Sequence, residues 1–261
     1  MTEQPPLYNS VAPLANVSRL TTLIKRIQHK DMNLPGMGCI YGRSGRGKTT
    51  AAVYACNSLN ACHIEALPVG GVKELLATIV TELGVSPAKT PADLLKQACE
   101  KLGRTQRPLI IDEADYILTE RQIEVVRRLH DISQVPVILM GEEALPQKLQ
   151  RWERVHSRML AWVGMEEATI EDVDHLARIY ARDLALGPDL KRALLAASRG
   201  SLRNVSTNLS QVKEFAEVRG LRTIGMTEWG QADFHSGEAP QPRVAPTQRL
   251  ATGAARRRGA A

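Results

Sequence analysis

Aromatic residues are scarce, with Phe, Trp and Tyr making up 4% of 261 residues. This argues against a surface built to stack the bases of single-stranded nucleic acid. Cysteine is rarer still: Cys39, Cys56, Cys62 and Cys99 form no CxxC pair and have no histidine at ligand spacing. That disfavours a zinc site or a disulfide framework and fits reduced core thiols in a cytoplasmic chain. No apolar run approaches the roughly 18 residues of a membrane helix. The start, MTEQPPLYNS, lacks the basic and apolar stretches of a signal peptide. The remainder is ordinary for a globular protein, 43% hydrophobic and 24% charged, and the length allows one large domain or two small ones.

The net charge is +6 and it is unevenly spread. Residues 236–261 carry five arginines (Arg243, Arg249, Arg256, Arg257 and Arg258) against one acid, Glu238, along with Pro240, Pro242 and Pro246. This composition predicts a disordered cationic tail. It is either an arm that finds nucleic acid by charge or a solvated tail with no dedicated partner.

Hydrophobic spacing predicts a helix from Asn16 to Lys30, with Val17, Leu20, Leu23, Ile24 and Ile27 on one face. Short apolar runs predict strands at Met37–Tyr41, Ala61–Ala66, Pro108–Asp112, Val135–Met140 and Met159–Val163. Between them, helices are predicted over Thr49–Leu59, Val72–Leu83, Pro91–Leu102 and Glu120–Ile132. This alternation implies a parallel sheet with helices on both faces. After about Thr169 the strand signals stop, and helices are predicted over Glu171–Leu186, Pro188–Ser198 and Leu202–Arg219. The expected organisation is an irregular segment 1–15, an α/β body 16–168, a small all-α domain 169–235 and the tail.

Gly42-Arg43-Ser44-Gly45-Arg46-Gly47-Lys48-Thr49 satisfies GxxxxGK[ST] between a predicted strand and a predicted helix, which is the context a phosphate-binding loop requires. Glycines let the backbone approach phosphates. The amides from about Ser44 to Thr50 would form an anion nest at a helix N-terminus. Lys48 is placed for the β- and γ-phosphates of ATP, and the Thr49 hydroxyl for Mg²⁺. Further on, the strand Pro108–Asp112 delivers Asp112 at its C-terminal end, with Glu113 one residue on, where ligands bind in open α/β sheets. Asp112 is placed to hold Mg²⁺ through water, and Glu113 to polarise the attacking water. The string Asp112-Glu113-Ala114-Asp115 spells DEAD, but an RNA helicase needs a second sheet domain with its own motifs, and these are lacking.

Together these motifs resemble AAA+ ATPases over residues 16–225. The resemblance implies a P-loop AAA+ parallel sheet flanked by helices, followed by a small all-α lid, with ATP and Mg²⁺ as cofactors and ATP hydrolysis as the activity. Two further segments carry it. Val137–Leu145 looks like the strand ending in the family's first sensor. Glu142 stands where the family usually has Asn, Thr or Gln, and Glu143 is a shifted alternative. Gly200-Ser201-Leu202-Arg203 looks like the GxxR of the second sensor, which makes Arg203 the residue reaching over the nucleotide. In His156-Ser157-Arg158, Arg158 resembles the arginine finger donated to a neighbouring subunit; Arg151 and Arg154 are alternatives.

Within AAA+ proteins the chain is similar to transposition regulators of the Mu B, TnsC and TniB type. The resemblance implies a largely sequence-nonspecific duplex-DNA-binding protein that oligomerises with itself on DNA, recruits a transposase and is released on hydrolysis. Mu B's N-terminal helix-turn-helix domain has no counterpart in the roughly 36 residues before the first strand. DNA contacts would then fall to basic residues away from the nucleotide: Lys73, Lys89, Arg104, Arg107, Arg121 and Arg256–Arg258. The other readings are a helicase loader or replication initiator, and a protein-directed AAA+ module. The second of these predicts a membrane helix or an aromatic pore loop, and Ala66–Val72 has no aromatic residue.

Overall fold

The computed structural model describes residues 14–31 and 33–237. The N-terminal segment up to Pro13 and nearly all of the predicted tail, including Arg256, Arg257 and Arg258, lie outside the described residues. Five parallel strands form the main sheet: β1 (Met37–Tyr41), β2 (Cys62–Glu65), β3 (Leu109–Asp112), β4 (Val137–Gly141) and β5 (Met159–Gly164), in the order β2-β3-β4-β1-β5. They are short apolar runs because both faces of the sheet are covered. Alternation along each strand divides the core in two. Ile40, Ile110, Ile138 and Met140 face one side, packing with α1 (Ala15–Gln28) and α2 (Lys48–Leu59). Met37, Cys39, Leu109, Ile111, Val137 and Leu139 face the other, against α3 (Val72–Glu82), α4 (Pro91–Thr105) and α5 (Glu120–Ser133).

The helix ends follow from local chemistry. Thr90 caps α4 by accepting from the Asp93 amide at 3.2 Å, with Pro91 in the first turn. Gln106, in the left-handed region, ends α4 three residues later than the sequence predicts. Gly103 does not stop the helix, because its position is open and helical. Between β4 and β5 lie two short helices the sequence did not disclose, α6 (Leu145–Leu149) and α7 (Glu153–His156).

The C-terminal segment is helical, as expected, with one correction. The helix predicted over Glu171–Leu186 stops at Tyr180. The order is α8 (Ile170–Tyr180), β6 (Ala185–Leu186), α9 (Pro188–Ser198), α10 (Leu202–Val218), β7 (Thr223–Ile224) and α11 (Met226–Trp229). Strands therefore continue past Thr169: β6 and β7 form a parallel pair in which the Ala185 and Gly187 amides donate to the Arg222 and Ile224 carbonyls. A two-residue strand leaves no periodicity to read, and Ile224, fully buried, holds it in place by packing. No described helix is long and apolar enough to cross a membrane. The four cysteines are free, and burial pushes their thiols up, Cys62 to about 12 and Cys99 to about 11, which makes them poor nucleophiles.

Candidate functional site

The chain leaves β1 at Tyr41 and turns through three glycines with positive φ: Gly42 (156°), Gly45 (82°) and Gly47 (80°). At Gly45 and Gly47 no other residue fits well. The backbone is left-handed, and a Cβ would lie 2.4 Å from Ser201 Oγ and 2.8 Å from Leu202 Cδ1 respectively. These contacts come from the start of α10, whose Ser201 cap accepts from the Asn204 amide at 3.2 Å. The Arg203 amide donates to the Gly45 carbonyl at 3.2 Å, and its guanidinium lies 3.4 Å from Ser44 Oγ. The C-terminal helices thus close directly over the glycine loop.

A cleft of about 330 Å³ remains, walled by Ser44, Gly45, Gly47, Lys48, Thr49, Thr50, Glu113 and Arg203 on its polar side. Leu14, Leu176, Tyr180 and Leu202 line the apolar side, and Ser206 and Thr207 complete it. Sequence reasoning missed this second group. Leu14 precedes α1 and the others come from α8 and α10, so no local pattern joins them.

Lys48 is 8% exposed and donates to the carbonyls of Gly42 (2.7 Å) and Arg43 (3.2 Å). Burial holds its ammonium below the ordinary lysine range, against the opposing charges of Asp112, Glu113, Glu142 and Asp115. The Thr49 hydroxyl donates to Asp112 Oδ2 at 2.8 Å, and the Glu113 amide donates to Oδ1 at 2.9 Å. Burial acts to raise the Asp112 carboxyl. The nearby His63, the Thr49 hydroxyl and the Glu113 amide outweigh it and keep the group below the ordinary carboxylate range. Glu113 behaves oppositely: burial and the adjacent Asp112 raise its carboxyl despite Lys48. Its backbone sits in the left-handed region at φ 52°, a conformation that costs roughly 1–2 kcal/mol for a residue with a side chain and is concentrated at functional sites.

Among the described residues no group of three or more His, Cys, Asp and Glu could hold a metal ion. Thr49 Oγ1 as a direct ligand, with the Asp112 carboxylate acting through a bound water, still fits Mg²⁺. Both are hard oxygen donors, and this ion is commonly held by one or two protein oxygens, with phosphate and water completing the shell.

Other expected residues fall elsewhere. Arg46 turns away from the cleft: it donates to the Met165 carbonyl at 2.8 Å and pairs with Glu167 at 3.0 Å. Arg43 is exposed and pairs with Glu143 at 3.1 Å. The Glu142 amide donates to Asp115 Oδ2 at 2.7 Å, and Asp115 Oδ1 pairs with Lys148 at 2.6 Å. Asp115 therefore anchors the loop after β4, a role its place in the sequence did not reveal.

Arg158 lies at the start of β5, where its carbonyl accepts from the Met37 amide at 2.9 Å. That is the N-terminal end of β1, a strand length of roughly 16 Å from the glycine loop. Its guanidinium pairs with Asp131 at 3.0 Å, and Asp131 also pairs with Arg127. Arg158 therefore does not serve the cleft of its own chain. Arg151 and Arg154 are exposed. Lys73, Arg104 and Arg121 are exposed on α3, α4 and α5, and Lys89 lies between α3 and α4; none of them lines the cleft. Arg107 is committed to structure, donating to the Asn60 and Ala61 carbonyls at 2.9 and 3.1 Å.

A family model described as an AAA domain matches residues 31–149. No curated protein sequence matches the chain. Similar solved structures include the ORC1 protein of Aeropyrum pernix in complex with DNA. It has a TM-score of 0.58 and 18% identity, over 82% of this chain and 62% of that one. Cdc6p from Pyrobaculum aerophilum has a TM-score of 0.58 and 13% identity, over 85% of this chain and 65% of that one. The chain thus spans less than two thirds of the length of these structures. The architecture is the AAA+ P-loop fold: a parallel five-stranded sheet flanked by helices, with further helices at the C-terminus.

Proposed function

We propose that the chain is an ATP-hydrolysing AAA+ module that assembles with copies of itself on duplex DNA, as a replication initiator or helicase loader does. The observation that carries the ATPase part is the placement of Glu113 on the wall of the cleft that Lys48 also lines, next to the Asp112 that Thr49 holds. In this reading Lys48 leaves its loop carbonyls for the β- and γ-phosphates, and the glycine-loop amides take the remaining charge. Thr49 would hold Mg²⁺ directly and Asp112 would hold it through a bound water, and the ion would neutralise phosphate charge. Glu113 orients the attacking water, and its raised carboxyl makes it a stronger base than a free glutamate once ionised. Arg203 acts in cis as the lid's sensor. Arg158, at the far end of the sheet, completes a neighbour's site, so turnover requires assembly.

The DNA part draws on the ORC1 neighbour, which is in complex with DNA, and on Arg256–Arg258 and the exposed basic residues as phosphate contacts. The transposition-regulator reading, with a transposase as partner, rests on the sequence resemblance of the phosphate loop and the segment around Asp112. The test is co-sedimentation with plasmid duplex under ATP, ADP or no nucleotide, with electron microscopy of the pellet. Discrete ATP-dependent assemblies on DNA support the initiator reading, and long helical filaments support the transposition reading. Failure to bind DNA in every nucleotide state refutes both and leaves a protein-directed module.

A further inference from the structure

His63 lies on β2 opposite Ile110 of β3, and Glu65 lies opposite Asp112. Side chains two residues apart on a strand share a face. His63 and Asp112 therefore lie on the same side of the sheet as Ile110, the side covered by α2. His63 Nε2 stands 3.8 Å from Asp112 Oδ2, and the two side chains are 17% and 3% exposed. Nε2 is buried and has no hydrogen-bond partner among the described residues. Such a buried orphan is uncommon and costly. Among the described residues Asp112 Oδ2 accepts the Thr49 hydroxyl alone, and a carboxylate oxygen has a second acceptor position.

We propose that His63 is a positioning residue for Asp112: its Nε2–H takes the second acceptor position of Oδ2 in the metal-loaded site and fixes the carboxylate. The inference rests on the ATP–Mg²⁺ reading of the cleft. It needs an approach of about 1 Å to reach hydrogen-bond distance. Thr49 can then offer a lone pair to the ion while its proton stays on Asp112. Partners that orient ligating groups set metal affinity, so His63 acts on the ion and leaves nucleotide affinity in the absence of metal unchanged.

The test uses the full chain, a non-hydrolysable ATP analogue and Mn²⁺ as the probe, with bound Mn²⁺ read by electron paramagnetic resonance. His63→Leu is expected to raise the Mn²⁺ concentration for half-saturation by about 10-fold, with analogue affinity in EDTA unchanged. His63→Gln, which keeps an N–H donor at similar reach, recovers most of the loss; His63→Asn, which is too short, does not. If His63→Leu does not fold, the Gln and Asn variants carry the same comparison. A parental Mn²⁺ response in His63→Leu, or an equal response in the Gln and Asn variants, overturns the inference alone. A parent chain with no analogue-dependent Mn²⁺ binding overturns the cleft reading and the inference with it.

Discussion

Replacing Lys48 by alanine removes the cation at the centre of the cleft. Lys48 is 8% exposed, and its ammonium makes hydrogen bonds of 2.7 and 3.2 Å to loop carbonyls and faces the charges of four acids, Asp112, Glu113, Glu142 and Asp115. In the proposed reading those bonds pass to the phosphates of ATP. Truncating one side of a buried, hydrogen-bonded charge pair costs about 2–5 kcal/mol, which is roughly a 30-fold to several thousand-fold loss in Kd. In Lys48→Ala the four acids also face the ligand uncompensated, which places the effect toward the upper end. The readout is a titration with a fluorescent ATP analogue, paired with thermal melting. At a ligand concentration 100 times the parent's Kd, binding stabilises the parent by about 2.7 kcal/mol. At about 2–4 °C per kcal/mol for a chain of this size, that raises Tm by roughly 5–11 °C. A 100-fold weaker variant gains about 0.4 kcal/mol, or about 1 °C. Without nucleotide the variant should melt close to the parent, because the lost bonds are offset by relief of a buried charge. An unchanged Kd, or an unchanged ATP-induced shift in Tm, refutes the assignment of the cleft.

Glu113→Gln should keep ATP affinity and lose about 10²–10⁴-fold in turnover; parental turnover removes Glu113 from the chemistry. The same variant bears on stability. The Glu113 carboxyl is raised above its ordinary 4.5 in the folded chain, so ionisation disfavours the folded state as pH rises through that range. Glu113→Gln should therefore melt above the parent at neutral pH, and the gap should close as the parent protonates in acid. Arg158→Ala should bind ATP normally and lose about 10³-fold or more in turnover. Mixing it with Lys48→Ala should restore activity, since one supplies the site and the other the finger; no rescue counts against a trans role. Gly45→Ala should destabilise the chain by at least the roughly 1–2 kcal/mol of a left-handed alanine, measured by denaturant melts. Adding Ser201→Gly should recover only the part due to the 2.4 Å contact. Deleting residues 236–261 should lower the salt slope of DNA binding by up to about 3–4 units, and an unchanged slope leaves the tail without that task.

The main elements were legible in the sequence because their signals are local. Five apolar runs bounded by turn residues became the five strands, and the spacing of Val17, Leu20, Leu23, Ile24 and Ile27 became the buried face of α1. The glycine loop announced itself because positive φ selects glycine at Gly45 and Gly47. Strand–loop–helix order then placed Lys48 and Thr49, and the end of β3 placed Asp112 and Glu113. What stayed hidden depends on pairs distant in the chain. Arg46 belongs to a phosphate-loop pattern, yet Met165 and Glu167, more than a hundred residues later, draw it out of the cleft. β5 runs parallel beside β1, so Arg158 at its start lies at the opposite strand end from the glycine loop that follows β1. Asp115 acquires its role from Glu142 and Lys148, and His63 from Asp112 across the β2–β3 pair. The β6–β7 pair exists because Ile224 is buried. Sequence period and backbone preference fix elements, since they act within a few residues. Which side chains meet is decided by packing across the sheet, and no local rule encodes that.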